Sequence, residues 1–532
     1  MKLRKLAAPV LSLSLLMPAM AHAAAPTTTK MDMEKPTVNT PAVELRAGLD
    51  HLLSEHFVLA VKAMTTAYDG TAEEAEAALD ALDQNAVDMG PAIASIYGEA
   101  GATQFENIFR PHNMYTDEEV KAMKKHDIPA VVEARAKVDQ FAIDFGNFLG
   151  TATEGILPAE TAIEVVRLHE KQVQEVFDAY VAGDYTEQYA YFREGYQEMF
   201  TISKALSTAI VTQFPEKFDN TKADTKAADL RSTLNSLAAE HFAIATIDMQ
   251  KEYDGASDMD AAAWAQDEHT ADFTAAIESI YGAEGAAAFE KLWTTDHIIA
   301  QSDMVKATKD NDAAARAAVI DRINGFAKEF GEFLGTATAG NLPTEAAQEA
   351  LMKHESQVQM TFDQYVDEDY TASYDTFREG FGFMFGVGQA LGNAIVTQFP
   401  EKFEDHMTTV WMKINSNQLI VNDKVTMMDT VPMMSGNFTF IPLRFLSEGI
   451  GAEVKWDEEN QVVWVMAGKD TLKFWIGKDF MEVNGTMMDV GTKVFINEDG
   501  RTQVPLRFIA ELLGWDVAWG DDDYSITLTK SM

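Results

Sequence analysis

Between residues 44 and 63, apolar side chains recur at every third or fourth position: Leu45, Leu49, Leu52, then Leu59 and Ala63, with His56 on the same stripe. That spacing predicts an amphipathic α-helix. Thr71-Ala72-Glu73-Glu74 is a capping box and predicts the start of a second helix. Tyr97-Gly98 breaks it, and a third helix runs through Phe105 and Phe109. A fourth extends from Pro129 to Leu149, and Leu157-Pro158 opens a fifth with proline in the first turn. The sixth runs from Asp184 to Ile210 and ends before Pro215. Strand signals are nearly absent, so residues 44–218 predict an all-α bundle of about six helices.

The same pattern then recurs. The decapeptide AIVTQFPEKF stands at 209–218 and again at 394–403. SIYG occurs at 95–98 and 279–282, FLGTAT at 148–153 and 333–338, and FREG at 192–195 and 377–380. A period this long indicates duplicated domains rather than a solenoid. The second repeat covers 229–403, joined to the first by a polar linker at 219–228.

Beyond 403 the period shortens to alternation. Stretches such as Val462-Val-Trp-Val and Ser525-Ile-Thr-Leu predict strands. Residues 410–532 contain their own duplication. Ile441-Pro-Leu-Arg-Phe-Leu-Ser-Glu448, followed by Val454-Lys-Trp456-Asp457, matches Val504-Pro-Leu-Arg-Phe-Ile-Ala-Glu511, followed by Val517-Ala-Trp519-Gly520. Each half reads as strand, turn, strand, a short helix opened by proline, then two strands. The expected fold is therefore multidomain: two homologous all-α helical bundles, then a small α+β module of two half-repeats.

That module resembles the copper amine oxidase N-terminal-like (stalk) domain of exported bacterial proteins. The resemblance implies an attachment module without amine oxidase activity. In that family copper and quinone belong to a separate catalytic domain, and the Asn-Tyr of the quinone motif occurs nowhere here. The helical repeats resemble a domain that accompanies this module in exported proteins, which implies location and no activity.

Composition narrows the classes further. With 47% hydrophobic residues the chain can bury real cores. A formal charge of −42 argues against nucleic acid and anionic membranes as partners. The absence of cysteine excludes disulfides, thiolate catalysis, thiolate zinc sites and iron–sulfur clusters. Residues 1–23 read as a signal peptide: Lys2, Arg4 and Lys5, an apolar run, then Ala21-His22-Ala23. Residues 24–43 read as a flexible leader. Export to the cell envelope or the medium follows, with no transmembrane segment after signal cleavage.

The chain has 11 histidines, and three pairs match between the repeats: His56 with His241, His112 with His297, and His169 with His354. Each sits on an apolar stripe, so the rings are expected inside the bundles. Three neutral imidazoles from three helices suit zinc, copper or iron, or a haem. Asp88, Asp272, Glu55 and Glu240 are candidates to stand behind them. Glu170 and Glu355, which directly follow the third histidine, are candidates too; like Glu55 and Glu240, which directly precede the first, they stand about 100° around the helix and are expected to face away from their own histidine's target. Arg193 and Arg378 can bind an anion or a propionate, or pair with Asp178, Asp363 or a neighbouring glutamate. Met199 and Met384 offer a thioether or simply pack. The glycine-rich run 380–392 reads as close helix packing, and Asp521-Asp-Asp523 as a hairpin turn.

The expected function is a non-catalytic envelope or secreted binding protein with a metal or haem in each bundle. The alternative is a structural or adhesive surface protein, its C-terminal module attaching to a wall polymer or another surface protein. An enzyme using the histidines for oxygen or peroxide chemistry is a third class.

Overall fold

The computed structural model describes residues 35–404, 407–422, 424–436, 438–449, 452–467, 470–506, 509–510, 513–520 and 524–531. The expected signal peptide, the leader up to residue 34 and the run 521–523 lie outside the described residues.

The first repeat is built from α1 (Pro41–Asp69), α2 (Ala72–Lys124), α3 (Ile128–Ala152), α4 (Ala159–Ala182) and α5 (Tyr185–Gln213). Thr40 caps α1 by accepting from the Val43 N–H, and Val38 before it is fully buried. The end of the expected leader is thus packed, and the helix starts ahead of Glu44. Thr71 caps α2 by accepting from the Glu74 N–H at 3.1 Å, as the capping box predicts. Gly98 sits inside α2 at φ 75°, a left-handed angle that glycine adopts freely, and divides the helix into two segments. Counting both, the repeat has six helical segments.

The second repeat follows with α6 (Lys226–Asp254), α7 (Met259–Trp293), α8 (Ile299–Lys309), α9 (Ala313–Ala337), α10 (Thr344–Val366) and α11 (Tyr370–Gln398). Gly282 (φ 74°) repeats the kink of Gly98. Between α7 and α8 lies a five-residue π-helical turn, Thr294–Ile298. The stretch expected as a polar linker is ordered against the repeats: Ala223 is buried and α6 begins at Lys226.

The repeats share one core. Phe57, Phe177 and Tyr196 belong to the same buried cluster as Phe242, Phe362 and Phe381. Ion pairs cross between the repeats reciprocally. Arg46 Nη1 meets Asp229 at 2.6 Å, and Arg231 Nη1 meets Glu44 at 2.6 Å. These are the same positions of the duplicated sequence with the partners exchanged. Among the described residues no helix is long and apolar enough to cross a membrane.

The C-terminal module has fourteen described strands and a short helix, α12 (Leu443–Gly449), with helical residues also at 506 and 509–510. Its first half contributes β1 (Met407–Lys413), β2 (Gln418–Val421), β3 (Lys424–Met427), β4 (Met433–Ser435) and β5 (Phe438–Pro442) before α12. After it come β6 (Glu453–Asp457) and β7 (Val462–Ala467). The second half contributes β8 (Asp470–Trp475), β9 (Phe480–Val483), β10 (Thr486–Asp489), β11 (Phe495–Ile496), β12 (Thr502–Pro505), β13 (Asp516–Gly520) and β14 (Ser525–Ser531). The halves are interlocked. The sheet orders are β13-β14-β1-β2-β3, β10-β9-β8-β7-β6 and β11-β12-β5-β4. Each five-stranded sheet takes three strands from one half and two from the other. Five strands precede α12, where the sequence pattern predicts two; three of them, β2, β3 and β4, are only three or four residues long.

Candidate metal centre

The second repeat brings three histidines together. His241 lies on α6 between Leu237 and Ile244, His354 on α10 between Leu351 and Val358, and His297 in the π-helical turn. One ligand atom from each lies within 4.8 Å of the others, and all three residues are buried. His241 Nε2 and His297 Nε2 are 2.8 Å apart. Two imidazoles bound tetrahedrally to a zinc-sized ion have their nitrogens about 3.3 Å apart, so a shift of about half an ångström would admit a cation. His241 Nδ1 and both nitrogens of His354 have no hydrogen-bond partner within the chain. Burial pushes His354 down to about 4 and His241 well below the usual histidine value, so both are neutral at pH 7 and can ligate.

Glu355 stands behind this group. Its Oε1 lies 2.9 Å from His297 Nδ1, off the best hydrogen-bond angle. Burial pushes its carboxyl up, but His297 and His354 together outweigh that and hold it below the ordinary range. A carboxylate behind a ligating imidazole fixes the ring and raises its basicity. The expectation that Glu355 faces away from the site is therefore corrected: it faces the histidine of another helix.

A fourth histidine adjoins them. His269 on α7 is buried, its ring 5.7 Å from that of His241. Its Nε2 donates to the Leu237 carbonyl at 2.8 Å, leaving a lone pair on Nδ1 without a partner. Asn85 takes this place in the first repeat and donates to the Leu52 carbonyl. A search for histidines matched in both copies passes over His269.

The first repeat holds the matching trio more loosely. His56 Nε2 and His112 Nε2 are 3.2 Å apart, and the His169 ring is 5.7 Å from that of His56. His112 Nδ1 is held by the Phe109 carbonyl, three residues back. Glu170 reaches only to 4.0 Å from His169 Nε2, and burial, then Glu119, pushes its carboxyl up to about 8. The cause of the difference is one residue. Three positions separate Phe109 from His112, but four separate Trp293 from His297. The extra residue is absorbed as the π-helical turn, and His297 is released from its own helix toward Glu355.

The four acids named as candidates behind the histidines form ion pairs across the seam between the repeats. Arg378 holds Glu55 at 3.0 Å and Asp88 at 2.7 Å; Arg193 holds Glu240 at 3.0 Å and Asp272 at 2.5 Å. Each arginine belongs to one repeat and its acids to the other. Asp88 and Asp272 are exposed rather than inward. Asp178 pairs with Arg135, and Asp363 with Arg316. No arginine of the pair is free for a propionate, and the cavity beside the first trio, about 170 Å³, is far smaller than a porphyrin. A haem does not fit there. Met199 and Met384 pack in the shared core. Within the run 380–392 close packing is found at Gly380 and Gly388 but not at Gly386; a Cβ on Gly380 would fall 2.1 Å from Phe242 Cζ, and one on Gly195 in the first repeat 2.4 Å from Phe57 Cζ. Those rings directly follow His56 and His241.

No curated protein and no solved structure matches the chain. Residues 402–465 and, in an overlapping match, 420–528 fit the family described as copper amine oxidase N-terminal domain. The C-terminal region thus carries the likeness its two Pro-Leu-Arg-Phe helices predict, and the helical repeats lie outside the match.

Proposed function

We propose that the chain is an exported, non-catalytic binding protein whose helical repeats hold a transition-metal ion, the second repeat more tightly than the first. The observation that carries this reading is the buried convergence of His241, His297 and His354 with Glu355 behind them. Neutral imidazoles favour zinc, copper or iron over magnesium or calcium. Three protein ligands leave an open position for water or another ligand. The chain's charge of −42 raises the local concentration of cations. The N-terminal domain family matched at the C-terminus is a stalk-like module, which fits display at the envelope.

Elemental analysis of the untagged protein, followed by titration with Zn²⁺ and Cu²⁺, tests this. One tightly held ion per chain, with a second taken up more weakly, is expected. No uptake of either ion, or of Fe²⁺, at micromolar concentration overturns it. The family match also favours a second reading, a structural or adhesive surface protein; retention of the isolated C-terminal region on a cell-wall fraction supports that reading.

A further inference from the structure

We infer that the first repeat contains a binding site for a small hydrophobic molecule with one hydrogen-bonding head, seated in the apolar chamber that ends at His56, His112 and His169. The chamber encloses about 170 Å³ among Leu52, Ile93, Phe105, Phe145, Leu149 and Ile202. Engineered apolar cavities of about 150 Å³ stay free of water and take up benzene or xenon. A benzene-sized body therefore fits the volume here. Away from the histidines the walls are apolar and give a polar ligand little to bind.

The head group is assigned by the far end. His169 Nδ1 and Glu170 Oε1 are buried on residues that line the chamber, and neither has a hydrogen-bond partner within the chain. The large majority of buried polar atoms have a hydrogen-bond partner. A phenol-like molecule meets both demands, its ring in the chamber and its hydroxyl on an imidazole or carboxyl oxygen.

The second repeat supplies an internal control. It places Phe273 where the first has Met89, and Trp293 where the first has Phe109. The two larger rings pack on each other at 5.4 Å and are buried. At these two positions the first repeat keeps the smaller side chains. This site does not depend on metal binding.

The test uses the full chain after chelator treatment, so metal uptake plays no part. Phenol and benzene are titrated calorimetrically and by thermal melting. Both should bind at millimolar concentration or below and raise the melting midpoint by several degrees, with phenol roughly tenfold tighter. The double variant Met89→Phe/Phe109→Trp, checked for native helicity, should abolish binding of both. Leu149→Phe is the second filling variant, should the double one misfold. His169→Leu should erase the advantage of phenol and leave benzene unchanged. Absence of binding by both probes to the folded protein overturns the proposal, as does binding that survives filling of the chamber. Equal affinity for phenol and benzene overturns the head-group assignment.

Discussion

The two helical repeats carry the same three histidines on the same helices, yet they differ in what surrounds them. In the second repeat an extra residue before His297 widens the helix, and Glu355 backs the imidazole. In the first, His112 is held by the Phe109 carbonyl and Glu170 has no partner on Oε1. The second packs Trp293 against Phe273 where the first has Phe109 and Met89, and the first holds a chamber beside them. Duplication thus preserves ligand-type residues, while one insertion and two ring sizes change how closely a cation is held and whether an apolar guest has room beside it.

The comparison breaks first at the histidines themselves. Replacing His241, His297 and His354 by alanine should weaken the tightest Zn²⁺ or Cu²⁺ site by roughly 1,000-fold or more. The same change at His56, His112 and His169 should leave that site intact and remove only weak uptake. Titration of each folded variant reads this; equal losses would erase the distinction between repeats.

The next largest effect concerns the seam. Arg378→Met strands Glu55, which is 1% exposed, and should destabilise the chain by about 3–4 kcal/mol in denaturant melts. Arg193→Met should do the same through Glu240, since the two clamps mirror each other. A loss below about 1 kcal/mol would mark the clamps as surface ion pairs.

Asp50 gives a third, pH-dependent contrast, because the second repeat has Asn235 in its place. Burial pushes the Asp50 carboxyl up to about 6, with Ser203, Arg46, Ser232 and Arg231 pulling it back. Between about pH 4 and 6 the unfolded chain ionises Asp50 while the folded chain does not. Its contribution therefore becomes less favourable as pH rises through that window and is constant above it. Asp50→Asn should add about 2–3 kcal/mol at pH 8 and nothing below pH 4. A gain independent of pH would contradict this.

The smallest effect sharpens the comparison most. Glu355→Gln should lower metal affinity roughly tenfold to a hundredfold, and Glu170→Gln should scarcely alter it. Competition with a chromophoric chelator measures both.

Much of this architecture is legible in the sequence. Helical spacing turns His56, His169, His241 and His354 inward, and Gly98 and Gly282 mark both kinks. What is missed is long-range or a matter of register. Glu55 and Arg378 are 323 residues apart, and no local pattern predicts their meeting. The rule that adjacent helical residues point about 100° apart is sound for Glu355 and its neighbour His354. It is silent about a third helix, and His297 lies on that side. The π-helical turn is visible only as a one-residue mismatch between the copies, and a mismatch reads equally well as a longer loop. In the β module the alternation marks strands but not their partners, so the exchange of strands between halves is settled by packing alone.

That exchange makes the β module a closed ring in chain order. Met407 at the start of β1 pairs with Ser531 at the end of β14, so the two ends of the module lie side by side. The junction of β7 and β8 occupies the equivalent place, with Ala467 opposite Asp470. A circular permutant that begins at β8, with a short bridge from β14 to β1, would keep every ladder. Neither half is first in any structural sense. Two chains brought close together could also trade halves, each completing the sheets of the other without forming a single new contact.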